Sequence, residues 1–171
     1  MNGKHPGPGF RRKIYASPME FGRNLRRVLG NFRSVIALLS KSGLSAGFRE
    51  RIMVTVTGVN RCRHCAYGHE FLAQKAGVSK AEIAGLLAQD LANSPTDEIP
   101  ALLFAIHWTE TDGLPSAPAR SDLETRYGID SARQIEAAVL LINTGNRIGN
   151  TFDYLLSRIT RGRFGLLLGE R

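Results

Sequence analysis

Signals that begin a helix recur along this chain, and no convincing pair of strands lies between them. Residues 17–20 read Ser-Pro-Met-Glu, a capping box in which proline takes the first helical position. Residues 79–82 read Ser-Lys-Ala-Glu and repeat the box. Further along, Ile135, Val139 and Ile142 recur at helical spacing. Together these patterns predict an all-α bundle.

Several helix boundaries follow from single residues. Asn60 is a plausible N-cap for a helix over residues 62–75. Ser121 and Ser131 are read as caps of two later helices, and a last helical stretch is expected over residues 146–159. The apolar run within residues 48–58 is rich in β-branched side chains, so the residues alone leave helix and strand both open there.

The only two cysteines of the chain are Cys62 and Cys65, and His69 follows four residues later. On a helix, residues three and four positions apart share a face. The thiolate is the reactive form of cysteine, so a neighbouring group must favour its formation. His69 can accept a thiol proton one turn after Cys65, and Glu50 can orient the imidazole. We therefore predict Cys65 as the attacking thiol and Cys62 as the resolving thiol, although the expected helix start favours a Cys62 thiolate.

Other uses of the cysteine pair are weaker. Both thiols could be inert buried side chains. Zinc could take Cys62, Cys65 and His69, but no second Cys-x-x-Cys or histidine pair completes a closed site. A haem attachment motif needs histidine directly after the second cysteine, where this chain has Ala66. We expect neither a metal nor a cofactor.

The spacing Glu-x11-Cys-x2-Cys-x3-His, with His64 between the cysteines, resembles the alkylhydroperoxidase AhpD-like group within the carboxymuconolactone decarboxylase family. The resemblance covers roughly residues 17–157. Outside the motif it rests on weaker helical patterns in residues 77–83, 101–111 and 137–152, the last of which includes Asn143, Asn146 and Arg147.

The resemblance implies an AhpD-like helical bundle that assembles as a trimer or hexamer, and it favours helix over strand within residues 48–58. It also implies a thiol-dependent peroxidase or disulfide oxidoreductase whose substrate is a peroxide. A thioredoxin-like or lipoyl-protein donor would supply the reducing equivalents. His64 would be a second relay histidine, and the alternative of an exposed polar residue has equal weight.

Two other functions stay open. The first is a cofactor-free decarboxylase like the other branch of the resembled family, whose members generally lack the cysteine pair. The second is a non-enzymatic redox-sensing or interaction module that reaches a partner through its basic ends. Such a module would oxidise its thiols once and show no turnover with a reductant.

Positive charge is concentrated at the two ends of the 171 residues. Residues 1–33 hold eight Lys and Arg against Glu20, a net charge of +7, whereas residues 34–157 hold 11 against 13 Asp and Glu, a net charge of −2. We therefore expect a flexible basic arm over residues 1–16, one helical domain over 17–160 and a basic tail over 161–171. Basic ends can attract polyanions, but no zinc finger or RNA-binding signature accompanies them, so nucleic-acid binding is not expected.

The location of the protein is predicted from what the sequence lacks. No run approaches the ~20 apolar residues of a membrane span, and the N-terminal residues have no apolar segment typical of a signal peptide. Two cysteines are too few for a disulfide scaffold and suit a reducing compartment. We expect a cytoplasmic protein that does not contact a membrane.

Overall fold

In a computed structural model of the protein, residues 10–40 and 43–170 are described. All regular structure in these two ranges is helical, which confirms the all-α prediction. None of their helices is both long and apolar enough to cross a membrane. The elements are α1 (Pro18–Gly30), α2 (Phe32–Leu39), α3 (Ala46–Asn60), α4 (Arg63–Lys75), α5 (Lys80–Leu87), α6 (Ile99–Glu110), α7 (Ala117–Ile159) and a short 3-10 helix (Leu168–Glu170).

Both predicted capping boxes begin helices. The Ser17 side chain accepts a hydrogen bond from the Glu20 backbone N–H at 3.2 Å, and α1 begins at the next residue, Pro18. The Ser79 side chain accepts from the Glu82 N–H at 3.1 Å at the start of α5. These bonds satisfy backbone donors that the first turn of a helix leaves without partners.

Helix α3 is the centre of the bundle, and it settles the choice between helix and strand for residues 48–58. Its Ile52, Val54 and Val56 side chains are fully buried. The helix contacts α4, α5, α6 and α7, so it is enclosed on most sides. A helix in such a position is apolar around most of its circumference and does not show the one-sided pattern of a surface helix.

The turn between α3 and α4 differs from the prediction. Asn60 is the last residue of α3, and Arg61 adopts a left-handed conformation, with φ of 55°, that ends this helix. Cys62 is the N-cap of α4, and its Sγ accepts a hydrogen bond from the Cys65 N–H at 3.4 Å. The prediction of Asn60 as the N-cap was therefore wrong by two residues. Arg61 makes the turn between the two helices, although no glycine marks a turn there.

The continuous segment α7 consists of two helical parts that meet at Gly128, as the prediction of two later helices implies. Gly128 has φ of 76° and ψ of 157°, a non-helical conformation that glycine adopts without steric cost. The N-cap of the first part differs from the prediction, because Ser116 and not Ser121 accepts the capping hydrogen bond, from the Ala119 N–H.

The two ends of the described chain lie against α7. Residues 1–9 of the predicted arm fall outside the described residues, but Phe10 and Arg12 are buried, and the Phe10 ring contacts Tyr154 edge-on at 5.4 Å. Arg12 can be buried because Asp153 and Glu170 neutralise its charge. Residues 10–16 thus join the folded body where the sequence suggested an arm, and the boundaries at 16 and 160 stay a prediction.

Candidate functional site

The cysteine pair occupies the start of α4. Cys62 and Cys65 are joined by a disulfide bond, with their Cα atoms 5.4 Å apart. Cys62 is 1% exposed, whereas Cys65 is only partly buried. The start of a helix carries a partial positive charge, which favours a thiolate after reduction. Because Cys65 is the more exposed of the two residues, a second molecule can approach it more easily than Cys62.

A histidine–carboxylate pair lies one turn further along α4. His69 Nδ1 is 2.8 Å from Glu50 Oε2, and Glu50 is a buried residue of α3. A carboxylate in this position fixes the imidazole tautomer with hydrogen on Nδ1 and leaves Nε2 as a proton acceptor. The pair can thus accept a proton and stabilise the imidazolium that results.

A second histidine–carboxylate pair, which the sequence did not predict, lies beside the same cysteines. His64 Nε2 is 3.0 Å from Oδ1 of Asp153, a residue of α7 with no exposed side-chain surface. The same Asp153 oxygen accepts a hydrogen bond from Arg63 at 2.7 Å, and the other oxygen accepts one from Arg12 at 2.6 Å. The His64 side chain is 47% exposed, but a buried carboxylate holds it in place.

All five side chains predicted for the site therefore lie at or beside α4: the disulfide of Cys62 and Cys65, His69 with Glu50, and His64 with Asp153 as its additional partner. In residues 10–40 and 43–170, no group of three or more His, Cys, Asp and Glu side chains is arranged to hold a metal ion. The arrangement is suited to thiol–disulfide chemistry assisted by proton transfer.

One protein family matches the part of the chain that contains these residues. The model of the carboxymuconolactone decarboxylase family matches residues 25–111. The chain belongs to this family. The match extends from within α1 to just past α6 and includes the five predicted site residues, whereas α7 lies beyond it. No curated protein and no solved structure matches the chain.

In this member of the family, α7 contributes a close contact at Gly149. A Cβ atom at this position would lie 2.9 Å from Cys62 Sγ, 3.8 Å from Cys65 Sγ and 3.9 Å from His64 Cδ2. A methyl group at this position would have to displace the Cys62 sulfur atom, whereas its contact with Cys65 would be an ordinary one. No sequence pattern predicts this contact, because a glycine within a helix does not indicate which side chains of other helices lie beside it.

We expect Gly149→Ala to lower the free energy of unfolding of the oxidised protein by about 1–3 kcal/mol, the usual effect of overpacking. Gly145→Ala is the matched control, because it lies one turn earlier in α7 and a Cβ atom there meets nothing within 4 Å. It should leave stability unchanged or raise it by roughly 0.5–1 kcal/mol. Urea unfolding of both variants measures the difference. Equal effects of the two alanines would contradict the contact.

Asp153 is held ionised by its partners. Burial by itself raises the pKa of this carboxyl group, but hydrogen bonds from Arg12, His64 and Arg63 outweigh burial and lower the pKa below its usual value. The pKa of Glu170, which also binds Arg12, is lowered in the same way against the effect of burial, chiefly by the Leu167 N–H and Arg12. A carboxyl group with a lowered pKa stabilises the fold above the pKa that it has in the unfolded chain.

We expect Asp153→Asn to lower the free energy of unfolding by about 3–5 kcal/mol at pH 7, because Arg12 loses a partner while it stays buried. In the parent protein this stabilisation is complete above the ordinary carboxyl range. It is lost as the pH falls through the lowered pKa of the native Asp153.

Unfolding in urea between pH 3 and pH 7 checks both statements. Because it has no carboxyl group at position 153, the variant should lose less stability than the parent protein as the pH falls. Asp130→Asn, at an exposed position of α7, is the control and should follow the parent curve. An Asp153→Asn curve parallel to the parent curve would contradict the assignment.

Buried amide side chains join α3 to α7 near the turn that leads to Cys62. Asn60 Nδ2 donates to Asn143 Oδ1 at 2.9 Å, and Asn150 Nδ2 donates to the Asn60 backbone carbonyl at 2.8 Å. The Thr57 hydroxyl donates to Asn146 Oδ1 at 3.2 Å. These contacts fix the end of α3 and the turn that places the cysteine pair. Asn143 and Asn146, which carried part of the resemblance, therefore have a structural role here.

Proposed function

We propose that the chain is a thiol-dependent peroxidase or disulfide oxidoreductase of the AhpD-like group. The observation that carries the proposal is the 2.8 Å contact between His69 Nδ1 and Glu50 Oε2, one turn beyond a disulfide at the start of the same helix. A base oriented by a carboxylate, next to a thiol that can be deprotonated, is the arrangement that activates a nucleophile. The second cysteine provides a way to resolve the oxidised thiol.

The burial of the two thiols supports Cys65 as the attacking residue. Cys65 is partly open to solvent and lies one turn before His69. Cys62 is 1% exposed, so a peroxide has little access to its sulfur. The N-cap position of Cys62 favours its thiolate, and this suits a resolving thiol that attacks only its neighbour.

The proposed reaction has two oxidative steps. His69 accepts the Cys65 proton, and the thiolate attacks the terminal oxygen of a hydroperoxide. The O–O bond breaks, the alkoxide takes the proton from His69 and leaves as an alcohol, and Cys65 becomes a sulfenic acid. The Cys62 thiolate then attacks the Cys65 sulfur. The disulfide forms, and the departing hydroxide leaves as water with the proton that Cys62 released.

We propose that His64 and Asp153 assist the second step. His64 and Cys62 both border the point where a Gly149 Cβ atom would lie. Because Asp153 holds Nε2 of His64 at 3.0 Å, the proton from Cys62 would reach the other ring nitrogen, Nδ1, through solvent, and the carboxylate would stabilise the imidazolium. In this arrangement each cysteine has its own histidine and carboxylate.

A dithiol donor completes the cycle. Two thiol–disulfide exchanges return Cys62 and Cys65 to thiols and convert the donor to its disulfide. The net reaction turns a hydroperoxide and a dithiol into an alcohol, water and a disulfide. We propose a thioredoxin-like or lipoyl-protein donor and a cytoplasmic location, where such dithiols are kept reduced.

Steady-state turnover tests the proposal. We expect the full-length protein to consume many equivalents of an alkyl hydroperoxide when dihydrolipoamide is present, and to stop after one equivalent without it. A protein that stops after one equivalent under both conditions would be a redox sensor and not an enzyme. A protein that consumes none would contradict the proposal.

We also propose that the chain forms a homo-oligomer, either a trimer or a hexamer. Apolar side chains on α1 and α2 are exposed in the single chain and recur four residues apart within each helix. They are Leu25 and Leu29 on α1 and Phe32 and Ile36 on α2, and we call these four the stripe. Exposed apolar surface of this kind is typical of an interface.

Light scattering of the full chain should give the mass of three or six copies. Leu29→Lys should lower this mass, whereas Leu168→Lys, at a 91% exposed position outside the stripe, should not. A monomeric mass for the parent chain would contradict assembly. An unchanged mass for Leu29→Lys would contradict the role of the stripe.

A further inference from the structure

A cavity of about 530 Å³ lies between α1, the end of α6 and α7, and it shares no lining residue with the cysteine site. Its volume is within the range of small-molecule sites, roughly 300–1,000 Å³. Three arginines line it, which is the feature that calls for an explanation. The lining residues are Glu20, Arg23, Asn24, Arg27, Trp108, Asp112, Leu114, Asn143 and Arg147.

Both carboxylates of the cavity are already paired. Glu20 Oε1 is in contact with Arg147 Nη2, and Asp112 Oδ1 is 2.7 Å from Lys13 Nζ. Arg23 and Arg27 have no carboxylate partner within the part of the chain that the structure describes. The cavity therefore has an excess of positive charge.

Arg27 is held in a fixed position. Its Nη2 donates to the Gly113 carbonyl at 2.9 Å, and its guanidinium group lies over the Trp108 ring at 5.5 Å from the centroid. Neither contact neutralises the charge. A guanidinium group fixed in this way loses little freedom when it binds an anion, and its remaining N–H groups can donate to two oxygens at once.

One buried amide, that of Asn143, adds a neutral donor to the arginines, and a second, that of Asn24, shapes the wall. Asn143 lines the cavity and is 5% exposed, and its Oδ1 accepts from Asn60, which leaves its Nδ2 group available as a donor. Asn24 is 6% exposed, and its Nδ2 donates to Tyr15 and Thr144, so it has no N–H left for a ligand. Buried polar groups at a cavity wall select ligands that can hydrogen-bond to them.

We propose that this arginine cavity binds a small anion that carries carboxylate or phosphate groups. Arg23 and Arg27 supply the charge, Asn143 supplies a neutral donor, and Glu20 keeps Arg147 in position at the wall. Arg147, which the sequence marked only through a resemblance, is thereby part of a second site and not of the cysteine site.

Isothermal titration calorimetry of the full-length protein with succinate and with inorganic phosphate tests the proposal. We expect saturable binding of at least one anion, weakened by added NaCl, and no binding of the neutral analogue succinamide. The tighter of the two anions identifies the group that the cavity prefers. An absence of saturable binding for both anions, or equal binding of succinamide, would overturn the proposal.

Variants locate the binding. Arg23 is exposed and makes no described contact that holds the fold, so Arg23→Ala should fold normally. It should raise the dissociation constant about tenfold. Arg26→Ala is the matched control, because Arg26 is also exposed on α1 but does not line the cavity. Arg27→Lys keeps the charge but loses the fork of donors, and it should also weaken binding. Equal losses for Arg23→Ala and Arg26→Ala would overturn the site.

Discussion

Cys65→Ser is expected to abolish peroxide consumption, with a fall of about 10³-fold or more, because a hydroxyl at neutral pH cannot replace the attacking thiolate. Cys62→Ser should behave differently. Its partly open Cys65 can still attack one equivalent of peroxide, but no disulfide can follow. We expect a first turnover that is close to normal, and then a halt.

The two serine variants are controls for each other. Each removes the same disulfide, so a general effect of losing the cross-link on the fold would be common to both. Rapid mixing of each reduced variant with a hydroperoxide measures the first turnover directly. A first turnover retained by Cys65→Ser and lost by Cys62→Ser would contradict the assignment and reverse the two roles.

His69→Ala is expected to slow the reaction with peroxide by ~10²–10⁴-fold at neutral pH, the usual contribution of a general base. Glu50→Gln should slow it less, because the imidazole stays in place but loses the carboxylate that stabilises its charged form. The defect of His69→Ala should shrink as the pH rises past about 8.5, where an ordinary thiol ionises without help.

The rate of thiol alkylation between pH 6 and pH 10 provides the measurement. His107→Ala is the control, since this histidine of α6 binds Ser116 and has no contact with the cysteine pair. An unchanged rate in His69→Ala at every pH would mean that the helix start alone sets the reactivity of the thiol.

The parts of the fold that could be predicted depend on neighbours in the sequence. The serine N-caps at Ser17 and Ser79 are signalled within four residues of sequence, and both begin helices at the predicted positions. Cys62, Cys65 and His69 share a helix, so their spacing was enough to bring them together. Glu50 belongs to a different helix, and its place beside His69 was expected largely because the motif resembled a family.

The parts that could not be predicted depend on the path of α7. Asp153 Oδ1 is 3.0 Å from His64 Nε2 across 89 positions of sequence, and Arg12 is still further from Asp153 along the chain. No local pattern distinguishes a buried, ion-paired Asp from an exposed one. Gly149 also gives no sign that it faces the disulfide. These contacts follow from how α7 packs on α3 and α4, which short-range patterns do not specify.

One measurement tests the central claim, that the Cys65 thiolate attacks a peroxide, most directly. The reduced Cys62→Ser protein is mixed with one equivalent of alkyl hydroperoxide in the presence of dimedone, which traps sulfenic acids, and the product is mapped by mass spectrometry. We predict a single dimedone adduct on Cys65 of the Cys62→Ser protein. The double variant Cys62→Ser/His69→Ala should carry no adduct when both reactions are stopped at the same early time. A protein whose Cys65 stays a free thiol while the peroxide persists would contradict the account.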